Sequence, residues 1–345
     1  MGARTGPSAG RSVLLVARSC SIRFTAYYWL GWAVGLAVND RLDVAWALLG
    51  VPLWLAYCVG TEAVNRLADR AEDTVNRPER TALCAELGWG RLTAVAVASW
   101  TVFVAIGAAL TWSHPGFALP AVLLVDIGVA LGYSIGPAFK RHRVLALFAL
   151  TAPVTTPLVT GWAVHGTADT LLSPVLPAVA VQAAFSLGLA GMKDITDVAG
   201  DKAIGYSSLW LSLLRLWRPA AVYGLIGAPF LLLAGGVAAG ALPVVALAAL
   251  PLAVVSVLVV KAASRAATPA DREAAREVMH QYTFGFLALA LVACVPAPPA
   301  LAAAVAAAAY WTLASKALHW SGGLSRLQFS RWTALLTTPP LADEH

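Results

Sequence analysis

The chain has 345 residues, 59% of them hydrophobic and 12% charged, with a formal net charge of +6. Soluble domains average about 25% charged residues, so the composition excludes an ordinary water-soluble globule and points to a polytopic helical membrane protein. The apolar runs are continuous rather than alternating, which excludes a transmembrane barrel.

Residues 1–20 read as a cytoplasmic tail, because the arginines around Arg18 and Arg23 interrupt any signal-peptide core. Apolar runs follow near 21–38, 44–64, 92–112, 117–136, 144–165, 172–192, 216–238, 241–263, 279–296 and 298–315. The expected fold is all-α: nine to ten transmembrane helices around a central cavity. A single transmembrane domain spans 21–315, and a cytoplasmic tail spans 316–345. Placing alternate loops on one side puts 23 of the 24 Lys and Arg there and leaves Arg41 alone on the other. Such asymmetry predicts a multi-pass protein of the cell (inner) membrane with a cytoplasmic N-terminus. The net positive charge then serves topology and attraction to anionic lipid, and calls for no nucleic acid. The four cysteines show neither a CxxC pair nor metal spacing, and no disulfide framework is expected.

Two charged loops exceed what topology needs, since the positive-inside rule requires Lys and Arg but not Asp. In "GTEAVNRLADRAEDTVNRPER", Asn65, Asp69 and Asp73 are spaced i, i+4, i+8. On a helix they share one face, drifting about 40° per step. In "KDITDVAGDKAIG", Asp194, Asp197 and Asp201 are spaced i, i+3, i+7 and again share a face. Two carboxylate clusters on one side of a bundle suit a hard cation such as Mg²⁺ bridged to substrate phosphates. The bland alternative is solvated loop charge paired with the nearby arginines. A third segment, "LGYSIGPAFKRHR", places Tyr133 before a Gly136-Pro137 turn and then Lys140 and Arg141. It would cradle phosphate oxygens, or serve simply as a topogenic loop.

These three segments together resemble the UbiA superfamily of intramembrane prenyltransferases. The resemblance runs from about residue 20 to 295, and "NRPER" continues it after the first motif. It implies a cavity opening to the cytoplasm and to lipid, with Mg²⁺ and an isoprenyl diphosphate held by the Asp motifs. Carried onto this chain, Asn65, Asp69, Asp73, Asp194, Asp197 and Asp201 become metal–diphosphate ligands. Lys140 then acts as a catalytic cation, with Tyr133, Arg141 and Lys193 as further diphosphate contacts. The donor would be geranyl, farnesyl, geranylgeranyl or a longer diphosphate, and the acceptor an aromatic or other lipophilic molecule. The chain departs from the family pattern at Arg66, where many relatives carry Asp, at Thr81, where many carry Pro, and in the tenth helix and tail.

Four other readings stay open. Arg23 reaches a phosphate or acceptor carboxylate, or else snorkels. Asp126, a lone acid within a span, lines the cavity or serves as a structural hydrogen-bond partner. Tyr27, Tyr28, Trp29 and Trp32 are read as interface anchors or packing, with an aromatic cavity wall as the alternative. The competing functions are a membrane terpene cyclase of the same fold and, more remotely, a cation or solute transporter. Charge at the helix ends rather than at the midplane counts against transport.

Overall fold

The computed structural model describes residues 7–190 and 219–337. Every regular element among them is helical. The second Asp segment, with Lys193, Asp194, Asp197 and Asp201, lies outside the described residues.

Helix α1 (Ala9–Ser19) starts at a Ser8 cap and lies against α5 (Pro78–Leu87), where Arg11 pairs with Glu86 at 2.7 Å. Within the segment read as a cytoplasmic tail, residues 9–19 thus form a docked helix. Each predicted apolar run within the described residues falls on helix. The run at 21–38 holds a short turn and α2 (Thr25–Ala37). Helix α3 (Val44–Ala68) opens at Asp43, whose carboxylate accepts from the Trp46 amide. After α4 (Arg70–Asn76) and α5 come α6 (Trp89–Ser113), α7 (Ala118–Ser134), α8 (Arg143–Ala163) and α9 (Leu176–Ala190). Beyond the undescribed segment lie α10 (Pro219–Ala238), α11 (Leu252–Ala263), α12 (Pro269–Cys294), α13 (Pro298–Ala317) and α14 (Arg326–Leu335).

Among the described residues, seven helical stretches are long and apolar enough to cross a membrane. Exposed valines on α6 (Val97, Val102, Val104) and Leu301, Val305 and Leu313 on α13 give the bundle an apolar exterior. A surface of this kind requires lipid rather than water, and the chain is a multi-pass membrane protein.

Two contacts position the site. Helix α2 packs along α8 at very short range. A methyl at Gly35 would lie 2.2 Å from the Leu158 carbonyl oxygen, and one at Gly161 would lie 2.2 Å from that of Trp32. With Gly31, the Gly31–Gly35 pair is a small-xxx-small face, which lets backbones approach where no water drives association. Helix α12 begins ten residues before the apolar run at 279 because Thr268 and Asp271 form a capping box with Pro269 at the first turn. That extension carries Arg276 and Glu277 into the bundle, one turn before His280.

Of the four aromatics on α2, Trp29 and Trp32 face α3, where their indole N–H groups donate to the carbonyls of Ala47 and Trp46. Tyr27 and Tyr28 line a central cavity. The interface-or-packing reading holds for the tryptophans, and the cavity-wall alternative for the tyrosines.

Candidate active site

Helix α3 does not continue through the first Asp motif. It ends at Ala68, and Asp69 (φ −94°, ψ 14°) separates it from α4. The amides of Asp69 and Asp73 still donate to the carbonyls of Asn65 and Asp69, both at 2.8 Å. Asn65, Asp69 and Asp73 thus remain in helical register across a kink, yet their side chains go to different partners.

Asp69 turns toward the segment after α7. Lys140 Nζ is in direct contact with Asp69 Oδ1 and lies 3.8 Å from Glu72 Oε2. One turn back, Ser134 is hydrogen-bonded to Asn65 at 2.9 Å. With its amide turned to satisfy both ends, Asn65 donates to Asp69 Oδ2 at 2.8 Å and accepts from Arg66 at 2.7 Å. The structure therefore brings the first Asp motif and the Tyr133–Arg141 segment together. Tyr133 is half-buried at the end of α7, and Arg141 is exposed.

Asp73 goes the other way, into the protein. Its two oxygens accept from Arg80 Nη2 at 2.7 and 2.8 Å, and Oδ2 also accepts from Arg66 Nη1 at 3.0 Å. Burial alone would raise the pKa of this carboxyl. The charges of Arg66, Arg80 and Arg77 outweigh burial and hold it below the ordinary carboxylate range. Arg66 also donates to Glu62 at 3.1 Å. The departure at position 66 thus places a guanidinium between Glu62 and Asp73, and Asp73 is shared by Arg66 and Arg80.

Next to this cluster is a cavity of about 220 Å³. Helices α2 and α3 contribute Tyr27, Tyr28, Glu62, Asn65 and Arg66, and the α4–α5 junction contributes Arg77 and Arg80. Pro153 and Val154 of α8 and Phe185, Ser186 and Leu189 of α9 give it an apolar flank. Lys193 and the second Asp motif follow Leu189 in sequence. Arg23, Arg276, Glu277, His280, His319 and Trp320 also line it. Five arginines and two glutamates line the cavity, so its potential favours an anionic ligand.

Arg23 makes a two-pronged pair with Glu277, Nη1–Oε2 at 2.9 Å and Nη2–Oε1 at 3.0 Å, with both side chains fully buried. Glu277 holds it at the cavity wall. Asp126 does not line the cavity. It is fully buried and accepts from the Thr156 hydroxyl between α7 and α8, which is the structural alternative for that residue.

Arg276, Glu277, His280, His319 and Trp320 were not expected as site residues. The available signal was "DREAAREVMHQY", a charged stretch merging without a breaker into an apolar helix. Ionisable residues carried into a span in this way mark a site. Among the described residues, no three His, Cys, Asp or Glu side chains converge in a metal-binding group.

The sequence profile of the UbiA prenyltransferase family matches residues 26–282. The chain belongs to the UbiA prenyltransferase family. No curated protein matches it in sequence. Among solved structures, the chain is similar to a UbiA homolog from Archaeoglobus fulgidus bound to GPP and Mg²⁺. That match has 16% identity and a TM-score of 0.58, and covers 81% of this chain and 99% of that one. A structure of digeranylgeranylglyceryl phosphate synthase matches at 14% identity with a TM-score of 0.57, over 84% and 99% of the two chains. The apo structure of a UbiA homolog from Aeropyrum pernix K1 matches at 20% identity with a TM-score of 0.54, over 82% and 97%. At these identities the likeness is one of fold. The UbiA family profile ends before α13 and α14, so Trp320 and its neighbours lie beyond the matched residues.

Proposed function

We propose that the chain transfers an isoprenyl group from an isoprenyl diphosphate to an aromatic or other lipophilic acceptor, with Mg²⁺ as cofactor. The observation that carries this reading is the convergence of Asp69 and Glu72 on a single cation, the Lys140 ammonium, beside an arginine-lined cavity with an apolar, aromatic flank. Two carboxylates that share one cation form the oxygen-rich donor set a hard metal prefers. Structures of relatives bound to GPP or DMAPP with Mg²⁺ support the same class of donor and metal.

In this reading Asn65 and Asp69, with Asp194, Asp197 and Asp201, hold the metal and the diphosphate. Glu72 is a further oxygen donor, and Asp73 is a structural anchor for Arg66 and Arg80. When bound, Mg²⁺ supplies charge stabilisation to the leaving diphosphate. Lys140, with Arg141, Lys193 and Tyr133, contacts the phosphate oxygens as negative charge grows on them. Arg77 and Arg80 add to the positive field over the cavity. As the C–O bond opens, Tyr27, Tyr28 and Phe185 offer aromatic faces to the allylic cation. A nucleophilic carbon of the acceptor attacks C1 and afterwards loses its proton. The cavity faces the cytoplasm and the enzyme resides in the cell membrane, as the distribution of Lys and Arg supports.

Membranes carrying the chain, given geranyl, farnesyl or geranylgeranyl diphosphate and Mg²⁺, test the reading. Turnover that requires an aromatic acceptor and is lost in Asp69→Ala supports it. A cyclised hydrocarbon or alcohol formed without acceptor would replace it with the terpene cyclase reading.

A further inference from the structure

Part of the cavity wall is supplied by a turn outside the family-matched region, and this turn is held at several points. Helix α2 packs against both α3 and α12, and the Trp320 turn reaches the cavity from the α12 side. The sequence "LHWSGG" places Gly322 and Gly323 at φ 74° and 72°, a conformation L side chains avoid. A methyl at Gly323 would meet the Ser315 carbonyl oxygen at 3.1 Å. The chain therefore turns back sharply just after Trp320.

That turn is tied at several points. His319 is 3% exposed, with Nε2 3.4 Å from Ser21 Oγ and Nδ1 2.6 Å from Ser321 Oγ. Ser321 donates to Glu277 at 3.0 Å, and Glu277 holds Arg23. Downstream, α14 starts from a Ser325–Gln328 capping box and docks through an Arg331–Asp271 pair at 3.1 Å. Arg265 donates to the Leu336 carbonyl at 2.8 Å. What this scaffold presents to the cavity is the part-exposed indole of Trp320, with the Arg276 guanidinium 4.9 Å from its ring centroid.

We propose that Trp320 is a specificity-determining residue: its indole, fixed by the His319–Ser321–Glu277 network and backed by Arg276, is the platform on which the acceptor's planar ring stacks. The proposal rests on the transferase reading above. It assigns acceptor choice to a segment beyond the matched region, while the motifs the chain shares with its family handle the donor. A stacked planar partner suits this wall because an indole offers a large rigid face at small entropic cost.

The experiment uses the full chain in lipid nanodiscs with Mg²⁺ and geranyl diphosphate. The probe is 1,6-dihydroxynaphthalene, a fluorescent electron-rich planar phenol whose emission reports binding independently of turnover. Trp320→Ala should weaken probe binding about ten-fold and raise the acceptor KM in parallel, while the KM for geranyl diphosphate shifts less than about two-fold. Trp320→Phe should restore most of the binding. If Trp320→Ala does not accumulate, Trp320→Leu, which keeps the bulk but loses the ring, should show the same selective loss. Unchanged probe affinity in Ala or Leu variants overturns the proposal, as does a parallel loss of donor and acceptor affinity. Wild-type protein that prenylates another aromatic acceptor but does not bind the probe also overturns it and leaves the transferase reading standing. Probe binding that depends on Trp320 without any turnover of the diphosphate sinks the transferase reading instead.

Discussion

Arg66 and Asp73, seven residues apart across the break at Asp69, are joined by a buried ion pair at 3.0 Å, and Arg80 completes it from α5 at 2.7 Å. The pair ties the end of α3 to α4 and α5. Removing the carboxylate leaves two buried guanidinium groups without their shared partner. Asp73→Asn should lower stability by about 3 kcal/mol, measured by thermal unfolding in detergent. The pH dependence has a definite sign. The folded pKa of Asp73 lies below its unfolded value. Its contribution is therefore complete above about pH 4 and disappears as pH falls through the depressed folded value. A variant with wild-type stability but a raised Mg²⁺ requirement would return Asp73 to the ligand set.

Asp69 should behave in the opposite way. Its partner Lys140 is brought in from another segment, and both groups are only partly buried. Asp69→Asn should reduce turnover at saturating donor about 100-fold with little change in unfolding temperature. Lys140→Gln should cost about 10-fold to 100-fold while leaving the Mg²⁺ titration midpoint in place. A Lys140→Gln enzyme as active as wild type would show that the ammonium merely fills the carboxylate site.

The positions of the helices were readable because a continuous apolar run in lipid has almost no alternative to helix. The meeting of Asn65 and Asp69 with the Lys140 segment was readable too, since spacing fixed the face and charge fixed the side. The fate of Asp73 was not. Its spacing is that of a ligand, and only the folded path of α5 brings Arg80 onto it. The segment after Lys316 was read as topogenic charge, although "SRLQ" carries a capping-box signature. Nothing local in it announces that His319 reaches Ser21 or that Trp320 reaches the cavity, because those contacts span the whole chain. Arg23 and Asp126 were readable as unusual but not as paired, since a sequence shows a buried charge without showing its partner.

His319 gives a second pH prediction. Burial, followed by the charges of Arg23, Arg276, Arg80 and Arg77, holds its pKa far below the ordinary histidine value. The ring is neutral in the folded chain and protonates first in the unfolded one. Its contribution is therefore complete above about pH 6.5 and falls by about 1.4 kcal/mol per pH unit below it. Unfolding temperatures of wild type and His319→Gln should converge as pH is lowered from 7.5 to 5.5. Parallel curves would place the sensitivity elsewhere.

The contact between α2 and α8 should be the least tolerant of added volume. At Gly35 a new methyl would sit 2.2 Å from the Leu158 carbonyl oxygen and 2.7 Å from the Trp162 amide nitrogen. Both are backbone atoms of a packed helix, so relief requires moving α8 itself, and with it Pro153 and Val154 at the cavity. Gly35→Ala should cost about 3 kcal/mol or prevent accumulation in the membrane. Gly128→Ala in α7 is the matched control, because a methyl there meets nothing within 4 Å. By helix propensity it should be neutral or stabilising by up to about 1 kcal/mol. Equal unfolding temperatures for the two variants would mean that α2 and α8 are free to separate, and that the cavity they border is not held by this contact.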